Sequence, residues 1–197
     1  MKPRRKLIVM GASLGGITAV SSIVNALPKD FPVPIAVVIH TATASLNLMH
    51  HMIQPFTGLP VRYAQDGDEL KAGHLYLAPP DHHLVIAEKN RFGLDGGPKI
   101  RDARPAADRL FESAAAVYGP AVIGVVLTGG DSDGTQGLRA IKAAGGVTVV
   151  QDPATARQPR MPMTALADDS PDYCIPLDKL TNLLISLVST TTDPMVS

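Results

Sequence analysis

Leu7-Ile8-Val9-Met10-Gly11-Ala12-Ser13-Leu14-Gly15-Gly16 passes from an unbroken apolar run into a glycine-rich turn, and Ile17 to Leu27 continues it at helical spacing. Apolar residues without polar alternation read as a strand covered on both faces, the signature of a parallel sheet flanked by helices. The unit repeats along the chain. Pro34 to Ile39 and Val61 to Ala64 read as further strands, with a helix from Ser45 to Phe56 between them. Val122 to Leu127 is the most apolar strand, Gln136 to Ala144 a helix, Val147 to Val150 a strand and Leu177 to Val188 the closing helix. Pro105 opens another helix, through Tyr118, because proline suits the first helical position. In the middle, Leu75 to Ala78, Leu84 to Ile86 and Arg91 to Leu94 are short runs separated by turn residues, which predicts an antiparallel β-hairpin inserted between parallel units. The pattern predicts one α/β domain, a doubly wound, mostly parallel sheet over residues 1–188, with a frayed tail over 189–197.

Composition narrows the function classes. At 197 residues the chain suits a single domain with a real core. Lys plus Arg and Asp plus Glu balance at 18 each, so no clustered cationic excess marks a nucleic-acid or anionic-membrane partner. Cys174 stands alone, which excludes an internal disulfide, and no Cys or His spacing matches a zinc finger. No run approaches the roughly 18 apolar residues of a membrane span, so no membrane insertion is expected. Lys2 to Lys6 followed by Leu7 to Val24 imitates a secretory signal, but Gly11, Gly15 and Gly16 interrupt it and no small-x-small cleavage site follows. A reducing, cytoplasmic setting is the expectation.

Ligands of doubly wound sheets bind beyond the carboxyl ends of the strands, where strand order reverses. Three such ends offer a serine, a histidine and an aspartate: Ser13 after the first strand, His40 after the second, and Asp133 within Thr128-Gly129-Gly130-Asp131-Ser132-Asp133-Gly134. Gly11-Ala12-Ser13-Leu14-Gly15 matches the G-x-S-x-G nucleophile elbow at a strand-to-helix junction. The bland alternative makes Ser13 a helix N-cap, His40 a buried structural histidine, and one of Asp131 and Asp133 a cap of the helix near Thr135. The glycines also fit a dinucleotide loop, yet the second strand ends in Ile39-His40-Thr41 where an acidic ribose ligand belongs. An ordinary α/β-hydrolase places a strand and an oxyanion loop before its serine, and here only one strand precedes Ser13. His50-His51 and Asp81-His82-His83 lack a consistent ligand spacing, so no metal site is expected.

Taken in order, these residues resemble the catalytic domain of the chemoreceptor glutamate methylesterases, the CheB type. The likeness runs from Ile8 to about Val188 through Gly11-Ala12-Ser13 with Gly15-Gly16, His40, Asp66-Gly67, Gly73 to Pro79, Arg104-Pro105, Leu110-Phe111, Leu127-Thr128-Gly129 with Asp133-Gly134, and Met161-Pro162. The resemblance implies hydrolysis of glutamate methyl esters, with glutamine deamidation beside it. It makes Ser13 the nucleophile, His40 the general base and acid, and Asp133 the orienting carboxylate, with backbone N–H groups near Leu14 and Gly130 holding the oxyanion. No cofactor is implied. The implied partner is the methylated, cytoplasmic helical region of a chemoreceptor. Family members usually carry a receiver domain ahead of the esterase; this chain starts at the first catalytic strand, so receiver control is expected only in trans. A non-catalytic receptor-binding module of the same fold is the rival reading, and a dinucleotide-binding domain the weaker one.

The chain departs from the family pattern at several points. Leu14 stands where a hydroxyl residue is usual, Thr41-Ala42-Thr43 replaces a Met-Pro-rich stretch, and Ile39 replaces a polar residue. Gly130-Asp131 stands for Met-Gly. The added carboxylate of Asp131 is expected to favour the His40 imidazolium and weaken it as a base near neutrality.

Overall fold

The apolar runs become strands because both of their faces are covered. A computed structural model describes residues 6–40, 48–168 and 170–189. In chain order its elements are β1 (Leu7–Ala12), α1 (Gly16–Asn25), β2 (Ile35–Ile39), α2 (Met49–Ile53), β3 (Val61–Tyr63), β4 (Leu75–Leu77), β5 (His83–Glu88) and β6 (Arg91–Asp95). There follow α3 (Ala107–Tyr118), β7 (Val122–Val126), α4 (Thr135–Ala143), β8 (Val147–Gln151), α5 (Arg160–Asp168), β9 (Tyr173–Ile175) and α6 (Leu177–Ser189).

Seven of the described strands form one parallel sheet in the order β3-β4-β2-β1-β7-β8-β9. Alternate residues of β1 feed two cores. Ile8 and Met10 join Val20, Ile23 and Val24 of α1 and Leu180 and Leu184 of α6 on one face. Leu7 and Val9 join Leu110 and Phe111 of α3 and Leu138 and Ile141 of α4 on the other. β1 lies between β2 and β7, and the order reverses there, so the loops after these three strands share one crevice.

The expected doubly wound domain is therefore present, with differences in detail. Leu75 to Leu77 belongs to the main sheet, parallel to both β2 and β3, and the hairpin consists of β5 and β6 alone as a separate sheet. That hairpin packs on α3: Leu84, Ile86 and Phe92 share a core with Leu110 and Phe111, and the Ile86 N–H donates to Ser113 Oγ at 3.0 Å. β2 starts at Ile35 because Pro34 has no N–H to give, whereas the Ile35 N–H donates to the His74 carbonyl.

α5 and β9 had no counterpart in the sequence reading. α5 carries Pro162 in its first turn and mixes polar with apolar residues. β9 is the sheet edge, with Tyr173 and Cys174 exposed, so it shows no apolar run. α2 is a short helix followed by a 3-10 turn at Gln54–Phe56, and the expected start at Ser45 lies outside the described residues. So do Thr41-Ala42-Thr43 and the tail from 190 onward; Ser189 itself ends α6. Among the described residues no helix is long and apolar enough to cross a membrane.

Candidate active site

Ser13 leaves β1 in a turn pinned at every peptide. Its N–H donates to the Thr128 carbonyl at 2.9 Å, and its own carbonyl accepts from the Gly16 N–H at 2.8 Å. The Leu14 carbonyl accepts from Thr128 Oγ1 at 2.9 Å. With the Ser13 carbonyl turned toward Gly16, the trans peptide points the Leu14 N–H the opposite way. That N–H makes no hydrogen bond among the described residues, and neither does the Gly130 N–H. Backbone donors without internal acceptors are what an oxyanion requires; Leu14 follows Ser13 directly, and Gly130 follows Gly129, which packs on Ser13 Cβ.

The helix after this turn is capped by Gly15, at φ +86°, with no side-chain bond to its N-terminus. The capping role considered for Ser13 is thus not what the structure shows, and Ser13 Oγ has no hydrogen-bond partner among the described residues. Gly15 needs its left-handed conformation, which carries a cost for other L residues. Gly129 is required for space, because a Cβ there would overlap Met161 Sδ and press on Ser13 Cβ.

Thr128 and Gln151 are the anchors that the sequence reading missed. Both are buried. Gln151 Oε1 accepts the Thr128 N–H at 2.9 Å, while its Nε2 donates to the Thr155 carbonyl at 3.0 Å. Thr128 Oγ1 also accepts the Gln158 N–H at 2.9 Å, tying a third segment to the turn. A glutamine at the end of an apolar strand was the available signal.

Asp133 caps a helix, but not the one that follows it. Its Oδ2 accepts the Ala107 N–H at 2.5 Å and its Oδ1 the Asp108 and Gly134 N–H groups at 2.9 Å, so it caps α3 from another loop. This explains why α3 starts at Ala107 and not at Pro105. Asp108, in the first turn of α3, returns the favour: its Oδ1 accepts the Gly137 N–H of α4 at 2.8 Å, and Arg101 Nη1 donates to its Oδ2 at 2.7 Å. Burial, with the nearby Asp133 charge, pushes the Asp108 carboxyl up to about 6, against the pull of Gly137 and Arg101.

His40 lies between two carboxylates. Its Nδ1 is hydrogen-bonded to Asp131 Oδ2 at 2.9 Å. Nε2 stands 3.0 Å from Asp133 Oδ2, an ion-pair distance without hydrogen-bond alignment. Burial alone would lower the His40 pKa, but the hydrogen bond to Asp131 and the close contact with Asp133, together with their charges, override it and raise the value to about 10. The same contacts hold both carboxyls below their ordinary range, against the opposing effect of burial. Asp131 Oδ1 accepts the Asp133 N–H at 2.9 Å, so the residue braces its own loop and does not cap α4, whose N-cap is Gly134.

Two clefts meet at Ile39 and His40. One of about 600 Å³ is lined by Ser13, Leu14, Ile17, Met52 and Arg157. The other, of about 590 Å³, is lined by Asp81, Lys99, Arg101, Asp102 and Arg104. His83 opens β5, buried, with Nε2 on the Pro98 carbonyl and Nδ1 accepting the Ala106 N–H. Among the described residues no group of three or more His, Cys, Asp or Glu is placed to hold a metal ion.

The model of the CheB methylesterase family matches residues 8–184. A Leptospira interrogans protein, provisionally named protein-glutamate methylesterase/protein-glutamine glutaminase, is 41% identical over 180 residues, covering 91% of this chain and 93% of that protein. The protein-glutamate methylesterase/protein-glutamine glutaminase of Thermotoga maritima is 37% identical over 186 residues, covering 93% of this chain and 54% of that longer protein. The crystal structure of the Thermotoga maritima CheB methylesterase catalytic domain matches with a TM-score of 0.90 and 36% identity, over 94% of this chain and 100% of that one. With the serine, histidine and aspartate at the strand ends and this likeness over nearly the whole domain, the chain belongs to the CheB methylesterase family.

Proposed function

We propose that the chain is a serine hydrolase that removes methyl esters from glutamate side chains of a chemoreceptor or related signalling protein, and deamidates glutamine side chains there. The observation that carries this reading is that Ser13 and His40 line one cleft at the strand-order reversal, with Asp133 Oδ2 3.0 Å from the His40 ring. Ser13 supplies the nucleophile, His40 the base and then the acid, and the anchored Asp133 fixes the ring.

Those roles set the chemistry. His40, with its ring freed to face Ser13, takes the Oγ proton as Oγ bonds to the substrate γ-carbonyl carbon. The oxyanion is held by the Leu14 and Gly130 N–H groups. His40 returns the proton to the leaving oxygen, and methanol departs. Water then adds to the acyl-enzyme with His40 again moving the proton, which releases the glutamate carboxylate and restores Ser13. With an amide substrate the leaving group is ammonia. No step calls for a metal or organic cofactor. The setting is the cytoplasm, the partner is the methylated helical region of a receptor, and a receiver domain acting in trans is the candidate regulator.

Release of labelled methanol from a methylated receptor tests the reading. Ser13→Ala is expected to reduce it by at least about 10³-fold. No release by the wild type, or equal release by the variant, would sink the esterase. The missing hydrogen bond between Ser13 Oγ and His40 favours a second reading, a receptor-binding module without turnover; binding unaffected by Ser13→Ala and unaccompanied by methanol would establish it.

A further inference from the structure

In a serine hydrolase the histidine must present one ring nitrogen to the nucleophile while the other is held by the orienting acid. Here both nitrogens of His40 face carboxylates, Nδ1 that of Asp131 and Nε2 that of Asp133. The two acids differ in how they are fixed. Asp133 is 2% exposed and held by three backbone N–H groups; Asp131 is 37% exposed and held by one, that of Asp133. Asp133 is therefore the fixed side and Asp131 the side that can let go.

We infer that Asp131 is a positioning residue for the reaction, the releasable arm of a carboxylate clamp that keeps both His40 nitrogens occupied and so limits proton transfer from Ser13. This rests on the reading of Ser13 as nucleophile and His40 as base. Breaking the Nδ1 to Asp131 bond frees the ring to turn. A clamped ring also holds its proton: with a pKa of about 10, only about one His40 in 10³ is neutral at pH 7. A raised pKa disables a base at low pH and restores it as pH climbs, so wild-type turnover should rise about tenfold per unit between pH 7 and about 10.

The other charges around the ring do not replace this clamp. On the Ser13 side, Arg157 lines the cleft. On the other, Lys99, Arg101 and Arg104 face Asp81 and Asp102. Arg104 is paired with Asp81 and Arg101 with Asp108, which itself lies behind Asp133. Asp131 and Asp133 are the two carboxylates at ion-pair distance from the His40 ring among the described residues.

The test follows the His40 ring by NMR titration in the wild type, Asp131→Asn and Asp131→Gly, with the resonance assigned from His40→Gln, alongside the pH profile of methanol release. Asparagine keeps the size and the acceptor for the Asp133 N–H; glycine removes both, so agreement between the two isolates the charge. The His40 pKa is expected to fall by about 1–3 units in both variants, with turnover at pH 7 rising about tenfold for each unit. Asp178→Asn, which removes an exposed acid of α6, should move neither readout. An unchanged His40 titration in folded Asp131 variants overturns the clamp. A lowered pKa with an unchanged pH–rate profile overturns its role in the reaction. A lowered pKa with no methanol from any protein overturns the esterase reading and leaves the clamp standing.

Discussion

Two strand-to-helix junctions build the site, and they solve the same geometric problem in opposite ways. At the first, β1 gives way to α1 through Ser13 and Gly15; at the second, β7 gives way to α4 through Asp133 and Gly134. Both helices start from a left-handed glycine, at φ +86° and +88°, so neither is capped by the side chain of its own N-cap residue. At the first junction the backbone is tied through the Ser13 N–H and the Ser13 and Leu14 carbonyls, while the Leu14 N–H and the side chain, Ser13 Oγ, are left without a partner among the described residues. At the second the side chain is saturated, with Asp133 taking three backbone N–H groups and facing His40. The roles proposed for them ask for this difference, since a nucleophile has to be free and an orienting acid has to be fixed.

The sharpest way to test that contrast is to remove one side chain from each junction. Ser13→Ala should abolish methanol release while leaving the urea midpoint unchanged, since Oγ supports nothing. Asp133→Asn should lower turnover by about 10⁴-fold and also cost about 1–3 kcal/mol of stability, because an amide cannot accept all three N–H groups. Equal stability of the two variants would erase the distinction drawn between the junctions.

A smaller effect is expected where the junctions touch. Thr128 belongs to the second but holds the Leu14 carbonyl of the first. Thr128→Val keeps the shape and loses the hydroxyl, so kcat should drop by about 10-fold or more with KM little changed, and Thr128→Ser should restore it. A change confined to KM would mean the hydroxyl serves binding and not the placement of the Leu14 N–H.

The smallest effect is one of stability and pH. A His40 pKa raised in the folded state contributes stability that is complete below about 6.5 and lost as pH rises through about 10. Asp131 works the other way: its depressed carboxyl contributes above about 3.9 and loses that as pH falls. Asp131→Gly should therefore be less stable than the wild type by about 1 kcal/mol between pH 4 and 6.5, after allowance for solvent screening, and should converge on it toward pH 10. Urea midpoints across that range check the sign.

How much of this was legible in the residues depends on the range of the interaction. β1, β2 and β7 announce themselves because burial on both faces forces continuous apolar runs, and Ser13, His40 and Asp133 stand just past the carboxyl ends of those runs. β9 was hidden because an edge strand needs no apolar run, and α5 because Pro162 interrupts its pattern. The added charge of Asp131 was readable; its bond to Nδ1, across 91 residues, was not. Thr128, Gln151 and Asp108 were missed for the same reason. Each acts on a partner 23 or more residues away, and no local spacing encodes that.

The exchange of carboxylates between α3 and α4 ties the reactive centre to the folding of the domain. Since Asp133 closes the start of α3 and Asp108 the start of α4, neither helix can fray at its N-terminus without releasing the other. The amides of Ala107, Asp108 and Gly137 should therefore share one opening free energy in native-state hydrogen exchange. Those amides, well away from any ester, would then serve as an internal gauge of whether Asp133 is still in place.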